Sequence, residues 1–166
     1  MKEFLQEQNG IIFAILGAAL ATILPGMGSA KGVGMVGEAS AGVTAEDPSK
    51  FSKLLILQLL PATQGIYGML TSFLLLNSLG LIGGTPVDIS NAKGLAYLVS
   101  CMPIAIVGFF SALKQARTSA AGVSLVAKRP DQMSKGMLFA AMVETYAILA
   151  LRISILGNNG IANINF

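Results

Sequence analysis

The sequence predicts an all-α membrane protein, with four transmembrane helices arranged as two duplicated helical hairpins. Three observations carry that prediction. Hydrophobic residues make up 54% of the 166 residues and charged residues only 11%, against about 25% charged in an ordinary soluble domain; the mean hydropathy is +0.71. Four apolar segments stand at about 10–44, 53–79, 93–127 and 134–157, each longer than the roughly 20 helical residues that cross a hydrocarbon core. Finally, the chain repeats itself at an offset of about 82 residues, which lays Ser29-Ala30 on Ser111-Ala112, Pro48 on Pro130, Ser52-Lys53 on Ser134-Lys135, Thr63 on Thr145 and Ile66 on Ile148. Each half crosses the membrane an even number of times, so the repeats are parallel. The first hairpin is expected over 1–84 and the second over 85–166.

The N-terminus loosely imitates a signal peptide, with Lys2, an apolar run from Ile11 and the small residues Gly28-Ser-Ala30. Glu3 and Glu7 spoil the positive n-region, and small residues continue past Ala30, so the run reads as a retained first helix. Within it Gly32-Val-Gly34-Met-Val-Gly37 spells G-x-G-x-x-G. A nucleotide fingerprint requires a preceding strand and a βαβ unit, and a four-helix membrane chain offers neither. The glycines instead clear a helix surface for close contact. Because the first and third segments are both rich in Gly, Ala and Ser, copies of the chain are expected to pack on these helices, which form the inner wall of an assembly.

Punctuation falls at Ala45–Lys50, at Gly80–Asn91 with Pro86, and at Lys128-Arg-Pro130. Lys50, Lys53, Lys128, Arg129 and Lys135 lie at or beside the two short loops, with Lys2, Lys93 and Arg152 toward the other face. The positive-inside rule then puts both hairpin loops in the cytoplasm and both termini outside. The same rule accounts for the pI near 9.2 without nucleic acid. The chain has no His and no Trp, which excludes histidine chemistry. The lone Cys101 has no partner for an internal disulfide and reads as packing. No role is assigned to Lys31, Glu38, Lys114, Arg117 or the Asn-rich tail from Gly157.

The fourth segment carries the most informative residue. Glu144 lies nine residues beyond Lys135 in an apolar run from about Gly136 to Leu156, or about 14 Å along a helix axis, near the midplane. An acidic side chain there costs roughly 2.5–3.5 kcal/mol on an insertion scale and marks a functional site. At the repeat offset Ala62 takes its place, leaving one carboxylate per two hairpins. At similar depth Leu60, Thr63, Gln64 and Tyr67 share one helix face through i, i+3, i+4, i+7 spacing. Pro61 beside them loosens backbone carbonyls. The third segment adds Gln115. Together they offer one carboxylate, one hydroxyl, two amide oxygens and a carbonyl, an oxygen cage for a hard cation; the single charge suits a monovalent one. A small cation-coupled secondary transporter is the rival class, but such folds commonly use inverted repeats.

Ile56-Leu-Gln-Leu-Leu-Pro-Ala-Thr-Gln-Gly-Ile-Tyr-Gly68 and Phe139-Ala-Ala-Met-Val-Glu-Thr-Tyr-Ala-Ile-Leu149 resemble the two signature helices of rotary ATPase proteolipids. The likeness is strongest to the rotor-ring K (c-type) subunits of bacterial Na+-translocating V-type ATPases; Gly28–Met35 fits as well. The resemblance implies a homo-oligomeric ring that carries Na+, with H+ as the alternative. It implies Glu144 as the ion-carrying carboxylate, Thr63, Gln64, Gln115 and the Leu60 carbonyl as Na+ ligands, and Tyr67 as the group that locks Glu144. It further implies a non-catalytic subunit of a bacterial cell-membrane pump, with ATP hydrolysed on other subunits. Its expected partners are lipid, a stator subunit with an essential arginine and a central stalk on the cytoplasmic loops.

Overall fold

In the computed structural model, which describes every residue except 2, 5, 6, 8, 165 and 166, four long helices run Gly10–Glu46, Pro48–Ser78, Asn91–Lys128 and Pro130–Ala162, each long and apolar enough to cross a membrane. No strand occurs among the described residues. The chain is therefore a multi-pass, all-α membrane protein. Numbered in chain order, these helices are the first to fourth spans.

Each short loop is built by a proline. Pro48 and Pro130 open the second and fourth spans with one 3-10 turn, Pro48–Lys50 and Pro130–Gln132, where the missing N–H has no intrahelical partner to lose. Asp47 caps the first of these turns, accepting from the Ser49 N–H at 3.0 Å and from the Ser49 hydroxyl at 2.6 Å. The Ser49 side chain, followed by Lys50, holds the Asp47 carboxyl below its ordinary value. The two loops are also tied together. Lys50 Nζ donates to the Ala127 carbonyl at 2.9 Å, placing a cation where the third span leaves its last carbonyls exposed, and Lys53 Nζ donates to the Pro130 carbonyl of the second loop at 3.2 Å. On the opposite face Ser90 caps the third span by accepting from the Lys93 N–H at 3.3 Å.

The first and third spans share the largest contact in the molecule, and glycine makes it possible. A methyl group on Gly28 would stand 2.7 Å from the Phe109 carbonyl oxygen, and one on Gly17 2.8 Å from Leu98 Cα. Apolar burial between lipid-solvated helices gives little drive for association, so close backbone approach and the dispersion contacts it permits hold them. Gly28→Ala is accordingly expected to push the two spans apart. Overpacking of this kind costs about 1–3 kcal/mol, to be read as a lower melting temperature of the purified protein in detergent. An unchanged melting temperature would mean that the crossing is looser than the structure has it.

The core divides into two apolar clusters. One, toward the termini, contains Ala18, Leu75, Tyr97, Cys101 and Ile104; the other, toward the short loops, contains Val36, Leu54, Leu57, Val123 and Val126. Between them lies a buried polar layer that includes Gln64, Ser111 and Gln115. That layer holds the site.

Candidate ion-binding site

The second span is not one continuous α-helix. Pro61 has no N–H to give, and the chain tightens into a 3-10 turn over Leu60–Ala62 between α-helical Phe51–Leu59 and Thr63–Ser78. The turn aims a ladder of polar groups at the other spans. The Thr63 hydroxyl folds back to donate to the Leu60 carbonyl at 3.1 Å. Gln64, one residue on, is fully buried. Its Nε2 donates to Gln115 Oε1 at 2.5 Å and to the Ser111 hydroxyl at 3.3 Å, both on the third span.

Gln115 reaches this layer because the third span continues as helix to Lys128, well past the end of its apolar run. At about 100° per residue, its neighbours are turned away: Gln115 is fully buried, whereas Lys114 and Arg117 are exposed. Gln115 Nε2 then donates to Glu144 Oε2 at 3.2 Å. The Tyr67 hydroxyl donates to the other carboxylate oxygen, Oε1. Glu144 is thereby gripped from two spans, and the fourth span that carries it is itself fixed by Ser111 Oγ donating to the Val143 carbonyl at 3.1 Å.

The residues singled out from sequence thus lie in one layer, joined by hydrogen bonds from Gln64 through Gln115 to Glu144 and Tyr67, with Thr63 and the Leu60 carbonyl on the adjoining turn. Their chemistry fits a cation. Gln64 Oε1 is buried and has no hydrogen-bond partner, an orphaned acceptor that normally carries a penalty of about 1–3 kcal/mol, and its side chain is joined to the Glu144 carboxylate through Gln115. Glu144 makes no ion pair among the described residues. A small monovalent cation would supply the acceptor with a partner and the carboxylate with a countercharge. No grouping of His, Cys, Asp and Glu fit for a multivalent metal occurs among the described residues.

Sequence reasoning misses Ser111, although its alignment with Ser29 is a usable signal. Both serines reach from the first and third spans to the second and fourth: Ser29 Oγ accepts from the Gly65 N–H at 2.9 Å, while Ser111 bridges Gln64 and Val143. Ser111→Ala is expected to weaken cation binding by a few-fold to about tenfold, the worth of one net hydrogen bond of about 0.5–1.5 kcal/mol. Titration of Na+-dependent thermal stabilisation would measure it, and no change would make the Ser111 bridge irrelevant to the site. The Asn-rich tail, which carries no role on sequence alone, does have a structural one: the fourth span runs on to Ala162 and buries Asn158 against Ser100 and Cys101.

Fold and site together define a four-helix membrane proteolipid built as two hairpins around a single embedded carboxylate. Two stretches of the chain, residues 16–75 and 98–156, match the ATP synthase C-subunit family, one in each hairpin. The chain belongs to that family. It is 50% identical to the V-type sodium ATPase subunit K of Enterococcus hirae over 157 residues, covering 94% of this chain and 97% of that protein. It is 37% identical to the A-type ATP synthase subunit K of Methanocaldococcus jannaschii over 147 residues, covering 88% of this chain and 61% of that protein.

Proposed function

We propose that this chain is the membrane rotor subunit of a rotary V-type ATPase, and that copies of it form a ring that carries Na+ across the membrane on Glu144. The observation behind this is the coupled set of polar groups: a carboxylate held by Tyr67 and Gln115, with Gln115 bonded in turn to Gln64, whose buried amide oxygen has no partner. The sodium ATPase subunit among its relatives supports Na+ as cargo, with H+ as the alternative on the same carboxylate.

Ligand oxygens would come from Glu144, Thr63, Gln64, Gln115 and the Leu60 carbonyl, with Tyr67 locking the loaded carboxylate. Loading neutralises the Glu144 charge, which lowers the energy of turning that helix toward lipid. Unloading requires a competing cation, and a stator arginine facing the ring would serve. Hydrolysis of ATP on other subunits would turn the ring through a stalk seated on the hairpin loops, which carry Lys50, Lys53, Lys128, Arg129 and Lys135 and are placed in the cytoplasm with both termini outside. Carrying one charge against 100 mV requires about 2.3 kcal/mol.

Carbodiimide labelling of the purified protein tests the reading, since these reagents attack protonated carboxyls. Glu144 is expected to be the labelled residue, with Na+ protecting it in competition with protons. Labelling that follows pH but ignores Na+ would make the ring a proton carrier and remove Thr63, Gln64 and Gln115 as ligands. A Glu144 that never reacts would remove the rotor reading.

A further inference from the structure

Resting on the Na+ reading above, we propose that Ser29 is a positioning residue of the ion site: reaching across from the first span, it caps the helix that restarts at Thr63 and so holds the Leu60–Ala62 turn in the shape that offers its carbonyl. The break in the second span leaves N–H groups to be satisfied. An α-helix has no internal acceptor for the N–H groups of its first turn, and the helix Thr63–Ser78 starts partway along the second span. The Thr63 N–H is met by the Leu60 carbonyl within the 3-10 turn. The Gly65 N–H belongs to the third helical residue, one that an N-cap side chain ordinarily serves. The N-cap position here is Ala62, which has no side-chain oxygen and makes no capping bond. Ser29 Oγ supplies the missing acceptor at 2.9 Å, from 36 residues away in sequence.

The two spans are shaped for this contact. A methyl group on Gly65 would stand 3.3 Å from both Cβ and Oγ of Ser29 and 3.5 Å from Gly26 Cα, so the bare backbone of Gly65 gives the hydroxyl its room. About one turn toward the short loops, the Pro61 ring lies against Gly32, where a methyl group would come within 2.9 Å of Pro61 Cβ. The first span thus seats the break at two points, with the proline ring on Gly32 and the freed N–H on Ser29.

The second hairpin has the same serine without the break. At the 82-residue offset Ser29, Pro61 and Gly65 become Ser111, Val143 and Ala147. The fourth span runs as unbroken α-helix from Met133 to Ala162, so the Ala147 N–H is spent on the Val143 carbonyl four residues back. Ser111 has no free backbone N–H to accept from there. Its hydroxyl donates to that Val143 carbonyl at 3.1 Å and accepts from Gln64 Nε2 at 3.3 Å. One serine accepts from the backbone of its neighbouring helix and the other donates to it, and the proline makes the difference. Capping by Ser29 therefore belongs to the break and not to the general packing of the first span on the second.

Without the Ser29 oxygen, a small backbone shift offers the Gly65 N–H one acceptor, the Pro61 carbonyl of a continuous α-helix. Taking it draws the turn into the helix and rotates the Leu60 carbonyl against Thr63 and Gln64, three of the five proposed ligands. The other two, Glu144 and Gln115, stand on other spans, and Glu144 keeps its bonds to Tyr67 and Gln115. Loss of the cap weakens Na+ binding and leaves proton binding at Glu144 where it was.

Carbodiimide labelling of the full chain in its membrane reads both quantities. In Ser29→Ala the Na+ concentration that protects Glu144 is expected to rise about fivefold, the size of a typical lost N-cap, while the pH dependence of labelling without Na+ stays that of the parent. Ser29→Cys, close in volume and only a weak acceptor through sulfur, is expected to do the same and serves if Ser29→Ala does not fold. Protection at the parent's Na+ concentration in either folded variant would overturn the proposal. A labelling pH profile that shifts along with protection would overturn it too, being the mark of a generally loosened site. If Na+ fails to protect the parent itself, the sodium reading falls and the role of Ser29 in ion binding falls with it.

Discussion

Glu144→Gln is expected to abolish Na+ binding while leaving the fold and the assembly intact. The substitution preserves shape: a glutamine oxygen can accept from Gln115 Nε2, and its amide can donate to the Tyr67 hydroxyl, so the two hydrogen bonds that grip the side chain have replacements. The negative charge has none. Gln64, Gln115 and Thr63 are neutral, and among the described residues no acidic side chain is buried in the polar layer with them. A cation entering the variant site would be buried without a countercharge, an arrangement that costs about 3–5 kcal/mol, equivalent to a loss of affinity of about two to more than three orders of magnitude. Radioactive Na+ binding to the purified oligomer measures it, with native size as the control for assembly. Affinity retained within tenfold of the parent would show that the carboxylate is not the counter-ion, and the proposed mechanism would have no place to hold its cargo.

Much of this site was legible because membrane burial is so unforgiving. Glu144 stood out since a carboxylate in an apolar run has few structural excuses, and the proline-linked face of Leu60, Thr63, Gln64 and Tyr67 followed from helical spacing alone. Gln115 was harder to place. Hydropathy ends the third apolar run before Lys114, yet the helix continues because backbone hydrogen bonding is indifferent to that boundary and a 100° turn per residue can bury Gln115 while its cationic neighbours point elsewhere. Two features were not readable. The direction of the amide chain, from Gln64 Nε2 to Gln115 Oε1 and from Gln115 Nε2 to Glu144, depends on side-chain torsions that no residue spacing encodes. Gly157-Asn-Asn-Gly160 has the composition of a helix terminator, but tertiary contact of Asn158 with Ser100 and Cys101 keeps it helical.

Gln115→Leu is expected to weaken Na+ at the proposed site while leaving proton binding at Glu144 in place. Leucine is close to glutamine in volume, so packing between the third and fourth spans is largely retained. What disappears is the group that faces both ways: an acceptor for Gln64 Nε2 at 2.5 Å and a donor to Glu144 Oε2 at 3.2 Å. A proton needs only one carboxylate oxygen, with Tyr67 still at the other, whereas Na+ needs several oxygens to replace its hydration shell. Gln64 is left with Ser111 alone and with its own oxygen still unpartnered. Loss of a buried amide's partners amounts to about 1–3 kcal/mol, so the Na+ concentration that protects Glu144 from carbodiimide is expected to rise by about 5- to 150-fold. Labelling in the absence of Na+ should persist, which separates a lost ligand from a collapsed site. If Na+ protects the variant as well as it protects the parent, Gln115 only braces the helices and the cation is held without it.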